Sequence, residues 1–297
     1  MTAQRVIILN PAAGKGRARE LAPQIRESLG AIGVTDLRRT SAPGDEERLA
    51  REAIADGTTT IVAVGGDGTC GRIAGAILES RSSCRLAVVP TGTGNDFAKT
   101  LGVAAFSAER IATLVAGNDS QRMDVGLADG HYFINSCGFG FDASVLEATQ
   151  RVRLLKGNAV YIYSALRQLF TYRGLTVSTP GARGGRMLMV TVSNGRHLGG
   201  AFLIAPHASV LDGQLDVSLF ADCNVVERAR IFAGALRGKH LDHPAVRTSK
   251  VRSVELEFDS APAMEIDGEL RHATSRTVEI ECVPRALSVI AAPGIIL

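Results

Sequence analysis

Two short apolar runs each break into a glycine-rich turn that carries an aspartate, and this pairing restricts the available folds more than any other feature. Residues 60–64 read as a buried strand and lead into Gly65-Gly66-Asp67-Gly68-Thr69. Residues 86–89 read likewise and lead into Gly92-Thr93-Gly94-Asn95-Asp96. Glycine removes the side chain, so backbone N–H groups can approach an anion. A carboxylate repels phosphate and makes sense there only beside a metal ion or as a proton acceptor. The combination points to phosphoryl transfer rather than passive nucleotide binding. A packing role for Asp67, set between glycines, is not evident.

The rest of residues 1–122 repeats this alternation. Residues 6–9 read as a strand, followed by the turn Asn10-Pro11-Ala12-Ala13-Gly14. Residues 18–29 carry Leu21, Ile25 and Leu29 at helical spacing. Residues 36–39 read as a strand and 46–55 as a helix capped by Asp45. Residues 70–79 read as the helix after the first turn, and a short helix follows the second. Residues 106–115 form a helix opened by Ser107 and stopped by Gly117. Such alternation implies a parallel sheet covered on both faces.

Beyond residue 122 the texture changes. Residues 123–127, 131–136, 175–178, 187–193, 215–220, 250–258, 263–266 and 277–282 read as strands. Turn signals fall at Asp129-Gly130, Asn194-Gly195, Asp212-Gly213 and Asp267-Gly268, and helices interrupt at 157–172 and 225–236. The expected fold is α/β plus β: an N-terminal Rossmann-like parallel α/β domain (1–122), then a mainly antiparallel β-sandwich domain (123–285). Residues 286–297 are expected to return to the first.

Composition narrows the partners. The net charge of +3 is too small to argue for nucleic acid, and the absence of Trp removes a base-stacking platform. Five scattered cysteines without CxxC spacing fit a reducing compartment. Residues 1–15 hold no apolar signal-peptide core, and no apolar run reaches the length of about 20 residues that a spanning helix needs. A cytoplasmic protein, soluble or peripheral to a membrane, is expected.

Familiar motifs are mostly missing. Gly66-Asp67-Gly68-Thr69-Cys70-Gly71 matches GxGxxG, but it follows the third strand rather than the first. The next strand also runs into Pro90 without an acid to hold a ribose. Gly14-Lys15-Gly16 is too short for a P-loop, and no GxSxG elbow appears. His240 and His243 lack a third zinc ligand.

Gly65 to Thr69, together with Pro90-Thr91-Gly92-Thr93-Gly94-Asn95-Asp96-Phe97-Ala98, closely resembles the diacylglycerol kinase catalytic-domain family. That group includes bacterial soluble lipid kinases and sphingosine and ceramide kinases, with NAD kinase more distant. The resemblance covers almost the whole chain. Asn10 to Gly14 resembles the family's NPxxG loop, and Thr40 with Gly44-Asp45 its nucleotide-contacting threonine segment. Met123-Asp124-Val125-Gly126 and Phe133-Ile134-Asn135 resemble its domain junction. Leu211-Asp212-Gly213 with Leu215-Asp216 resembles its magnesium loop, and Glu265-Ile266-Asp267-Gly268-Glu269 its closing DGE motif.

The resemblance implies ATP and Mg²⁺ as cofactors. It implies nucleotide contacts from Asn10, Gly14, Lys15, Thr40, Gly66, Asp67, Gly68, Thr69, Thr93 and Asn95. Asp67 and Asp96 would stand near the metal and Glu269 would accept the proton of a lipid hydroxyl. Ser209, Asp212, Gln214 and Asp124 would serve a structural magnesium. Taken alone, Asn95 and Asp96 most often cap a helix, and Asp212-Gly213 and Glu269 fit hairpin turns, Glu269 predominantly so. Many relatives continue the first turn with Asn and Glu; here Gly71 and Arg72 stand there, and Arg72 is open to a phosphate contact.

The expected function is an ATP-dependent lipid kinase acting on a lipid such as diacylglycerol. Membrane contact is expected around Val152 to Leu155, with Arg151, Arg153 and Lys156 interleaved, and the chain is open to forming a homodimer. The alternatives are a NAD kinase-type nucleotide kinase and a non-catalytic lipid- or nucleotide-binding protein.

Overall fold

The computed structural model describes residues 4–117, 119–151, 158–179 and 184–295. The chain divides into two compact units. The first comprises Met1–Val125, Val210–Asp212 and Pro284–Leu297, the second Gly126–Ser209 and Gly213–Val283.

The first unit alternates strand and helix. Its elements are β1 (Arg5–Leu9), α1 (Arg17–Gly30), β2 (Asp36–Arg39), α2 (Asp45–Ala55), β3 (Thr60–Gly65), α3 (Asp67–Glu79), β4 (Arg85–Pro90), α4 (Asp96–Thr100) and α5 (Ala108–Gly117). The first part of β5 (Gln121–Ala128) completes them. β2, β1, β3 and β4 lie in that order, all parallel. β1 and β3 are buried almost without interruption, as strands covered on both faces must be. β2 is short, charged and partly exposed, which suits an edge. In α1, Ala18, Ala22, Ile25 and Leu29 form the buried stripe. Because the strands are parallel, the loops after Leu9, Arg39, Gly65 and Pro90 all emerge at one end of the sheet. The order reverses between β1 and β3, the position where open α/β sheets hold ligands.

The second unit is chiefly antiparallel. It holds β6 (His131–Phe133), β7 (Ser136–Gly140), α6 (Phe141–Arg151), α7 (Asn158–Thr171), β8 (Leu175–Ser178) and β9 (Gly185–Ser193). β10 (Leu215–Ala221), α8 (Val225–Ala235), β11 (Val246–Val251), β12 (Ser253–Phe258), β13 (Ala263–Ile266) and β14 (Glu269–His272) follow. The first part of β15 (Thr277–Val289) belongs here, and its last residues pair in parallel with β4 of the first unit. Phe133, Phe139, Val190, Val192, Leu215, Leu256, Met264 and Ile280 fill one core. Phe141, Leu188, Phe220 and Ile231 form a second, where α6 and α8 supply the cover. Asp129-Gly130 and Asp267-Gly268 both take positive φ (47° and 79°, 48° and 89°), the hairpin geometry that Asp-Gly favours.

Several sequence expectations are corrected. The strand expected over 131–136 is broken at residues 134–135, because Asp267 draws the N–H groups of Ile134, Asn135 and Ser136 to its carboxylate. The strand expected over 250–258 is two strands, parted at Arg252, whose carbonyl accepts the Cys282 N–H. α6 is not among the expected helices. Asp45 does not cap its helix; it is the first helical residue, and its Oδ2 accepts the N–H groups of Ser41 and Ala42. Lys156, Val152 to Leu155 and Arg153, expected to touch a membrane, lie outside the described residues.

Candidate active site

Glycine at the strand ends lets the loops touch. A Cβ on Gly92 would lie 2.5 Å from the Gly66 Cα, and one on Gly66 3.1 Å from the Gly92 Cα. A Cβ on Gly14, where φ is +59°, would lie 1.9 Å from the Thr91 carbonyl oxygen. The loops after β1, β3 and β4 therefore meet backbone to backbone. Gly14, Lys15 and Gly16 all hold positive φ. Such turns aim successive N–H groups outward and suit an anion.

Asp67 has a structural role that the sequence does not reveal. It is the first residue of α3, and its Oδ1 accepts the Phe97 N–H at 2.9 Å. It thereby caps α4 from a different loop. Asn95 occupies the N-cap position of α4 in a left-handed conformation but makes no capping bond; its Nδ2 donates to the Gly92 carbonyl at 3.0 Å. Asp96 is buried, and its Oδ1 accepts Lys99 Nζ at 2.8 Å. Burial raises the Asp67 pKa above the ordinary carboxylate value, opposed by the Phe97 amide and reinforced by the charge of Asp96. The structure thus brings two carboxylates together at the carboxyl ends of β3 and β4.

A second cluster sits at the switch point. Asn10 Nδ2 donates to Glu46 Oε1 at 3.0 Å and to Thr69 Oγ1 at 3.1 Å, while its Oδ1 accepts the Ala12 N–H at 3.0 Å. Glu46 does not stand out in the sequence, since a glutamate in a first helical turn is commonplace. Gly68 is the second residue of α3. Thr40 is buried beyond the end of β2, and its N–H donates to the Leu9 carbonyl. Lys15 and Thr93 are both exposed on their loops. Arg72 reaches towards the turn before α2: a Cβ on Gly44 would lie 3.5 Å from its Nη1.

Glu269 lies in the second unit as the first residue of β14, with its Oε2 3.6 Å from Arg271 Nη2. The adjacent Asp267 is buried and anchors residues 134–136, so the turn presenting Glu269 is fixed from below. Asp142 and Glu265, neither of them a sequence candidate, are buried in this unit. A Cβ on Gly138 would lie 1.6 Å from Asp142 Oδ2 and 3.3 Å from Glu265 Oε2. Burial pushes the Asp142 pKa up to about 7.

Of the expected magnesium-loop residues, Ser209 and Gln214 belong to the second unit, Asp124 and Asp212 to the first. Asp124 is engaged with the backbone. Its Oδ1 accepts the Arg285 N–H at 2.7 Å and its own N–H donates to the Val210 carbonyl at 2.7 Å. It fastens both returning segments to the first unit. Asp212 is exposed. Among the described residues, no three His, Cys, Asp or Glu side chains group to hold a metal. Asp67 and Asp96 nevertheless fit magnesium carried by a nucleotide, which takes one or two carboxylates beside phosphate oxygens and water.

A parallel sheet with touching glycine loops and paired carboxylates at its carboxyl end is a geometry that suits a phosphate-bearing ligand. The diacylglycerol kinase catalytic domain matches residues 4–128, and the YegS C-terminal NAD kinase beta sandwich-like domain matches residues 135–291. A "Probable lipid kinase YegS-like" of Xanthomonas euvesicatoria pv. vesicatoria (strain 85-10) is 31% identical over 89% of this chain and 90% of its own. A diacylglycerol kinase of Bacillus subtilis (strain 168) is 26% identical over 89% and 88%. The crystal structure of a diacylglycerol kinase from Bacillus anthracis str. Sterne shares the fold, with a TM-score of 0.72 and 24% identity over 99% and 98%. The chain belongs to the diacylglycerol kinase catalytic-domain family, in its YegS-like branch.

Proposed function

We propose that this protein is an ATP-dependent lipid kinase that moves the γ-phosphoryl group to a hydroxyl of a lipid such as diacylglycerol. The observation that carries the reading is the pairing of half-buried Asp67 with buried Asp96 among touching glycine loops, in a chain of this family. Phosphoryl transfer asks little covalent chemistry of a protein and depends on positioning and charge stabilisation. The loops at Gly14, Gly66 and Gly92 orient the phosphates, and the Thr69 and Thr93 hydroxyls donate to them. Asp67 and Asp96 would hold a nucleotide-borne magnesium, which would neutralise charge on the phosphates. Glu269 accepts the proton of the lipid hydroxyl. An ordinary glutamate is a weak base for an alcohol, so this transfer comes late, as the oxygen acidifies on gaining phosphorus.

The acceptor is reached at a bilayer through α7. Tyr163, Leu166 and Phe170 lie on one face and are 49%, 56% and 68% exposed. Arg167 is exposed on the same helix, Arg173 is exposed just past its end, and α7 contains no Asp or Glu. An exposed apolar stripe on a helix whose described residues include Arg167 and no acid matches an anionic lipid surface. Among the described residues no helix is long and apolar enough to cross a membrane. Co-sedimentation with phosphatidylglycerol-containing vesicles is expected to fall at least about fivefold for Leu166→Ser/Phe170→Ser and to weaken with salt. Unchanged sedimentation of the variant contradicts this surface. Conversion of a wild-type dimer to monomer by the same substitutions assigns the face to a second copy instead.

Radiolabelled ATP with mixed lipid acceptors tests the activity. Label in the chloroform-extractable fraction supports the proposal. Label in NADP identifies a NAD kinase-type enzyme, the reading suggested by the description of the second matching domain. ATP binding without turnover contradicts both.

A further inference from the structure

We infer that Glu46 is a positioning residue for the nucleotide, acting through Asn10 on the hydroxyl of Thr69; the inference rests on the kinase reading above. Glu46 sits in the first turn of α2 and is only 5% exposed. Its Oε1 receives one Asn10 Nδ2 hydrogen, and Thr69 Oγ1 receives the other. A carboxylate can only accept, so it compels Asn10 to present its NH₂ group on this side. The amide oxygen is correspondingly aimed at the Ala12 N–H, which closes the loop after β1.

The consequence falls on Thr69. Its oxygen accepts from Asn10, so its own proton cannot point there and is left to donate elsewhere. A hydroxyl held as a donor in the first turn of α3 suits an anion, where the helix dipole adds to the attraction. Were the Asn10 amide flipped, its carbonyl would take the Thr69 proton and the donor would be lost. Glu46 excludes the flipped state, because two oxygens would then face each other in a buried place. Glu46 Oε2 is also buried and has no hydrogen-bond partner among the described residues, which costs stability as any buried unpaired acceptor does.

α2 packs against α3, and the Arg72 guanidinium of α3 lies beside the Gly44 turn that opens α2.

The test measures ATP dissociation constants and steady-state kinetics for wild type, Glu46→Ala, Glu46→Gln, Thr69→Val and the double variant Glu46→Ala/Thr69→Val. Glu46→Ala is expected to weaken ATP binding roughly tenfold, the scale of one hydrogen bond to a charged group, with kcat and the lipid KM within about twofold. Glu46→Gln keeps an acceptor for Asn10 and is expected within about threefold of wild type. The double variant should bind ATP no more weakly than Thr69→Val alone. Unchanged ATP binding in Glu46→Ala, equal losses for Ala and Gln, or additive losses in the double variant overturn the inference. Wild-type protein that binds no ATP overturns the kinase reading itself. Melting temperatures for each variant identify a loss that comes from unfolding, and a Glu46→Ala defect explained that way counts against the positioning role.

Discussion

Asp67 combines two demands that oppose each other. In the proposed reading its carboxylate must be charged to serve a metal, yet burial disfavours that charge and raises its pKa. Asparagine at this position keeps an oxygen for the Phe97 amide and removes the half-buried charge. For a carboxyl whose folded pKa lies above its unfolded value, the stabilising contribution is complete below the unfolded value. It is lost as pH rises through the folded one. Asp67→Asn is therefore expected to melt no lower than wild type at about pH 7, with any advantage shrinking towards about pH 4. A lower melting temperature at neutral pH would show that the charge itself stabilises the loops. Asp142 gives a sharper case, because its pKa is pushed to about 7. Glu265, Tyr172 and Cys137 are its titratable neighbours. The same sign predicts that wild-type stability declines between about pH 4 and about pH 7, and that Asp142→Asn flattens this decline in pH-dependent thermal melts. Identical slopes would remove Asp142 as the cause.

Among the elements, the glycine loops were legible and their reason was not. Buried strands ending in Gly-Gly-Asp-Gly and Gly-Thr-Gly announce themselves through apolar runs and punctuation. That Gly66 and Gly92 press against each other is a tertiary fact that neither run contains. Gly92→Ala is expected to cost about 1–3 kcal/mol, as overpacking against backbone does. It should also abolish ATP binding. Gly16→Ala meets no neighbour within 4 Å but holds φ at +98°, and should cost only about 1 kcal/mol. Comparable melting temperatures for the two variants would contradict the contact. The start of α6 is marked only by Gly140, which holds φ at +98°, and the apolar residues on either side of it, Phe139 and Phe141, read as one continuous buried run. The break between β6 and β7 is written in Asp267, more than a hundred residues away, and no local reading could find it.

On the scale of the molecule, the carboxylates proposed for catalysis are divided between the two units, Asp67 and Asp96 in the first and Glu269 in the second. The order of motifs made the family legible, since their joint spacing is specific where each alone is weak. The structural roles were less so, because Asp124 and Asp267 are both occupied with backbone N–H groups, which no spacing discloses. The most direct test of the central claim is kcat for lipid phosphorylation in Asp67→Asn and Asp96→Asn, with melting temperature and ATP binding measured alongside. The account predicts a fall of at least about a hundredfold in both, with the fold intact and ATP still bound. Turnover within about tenfold of wild type in either folded variant would contradict it.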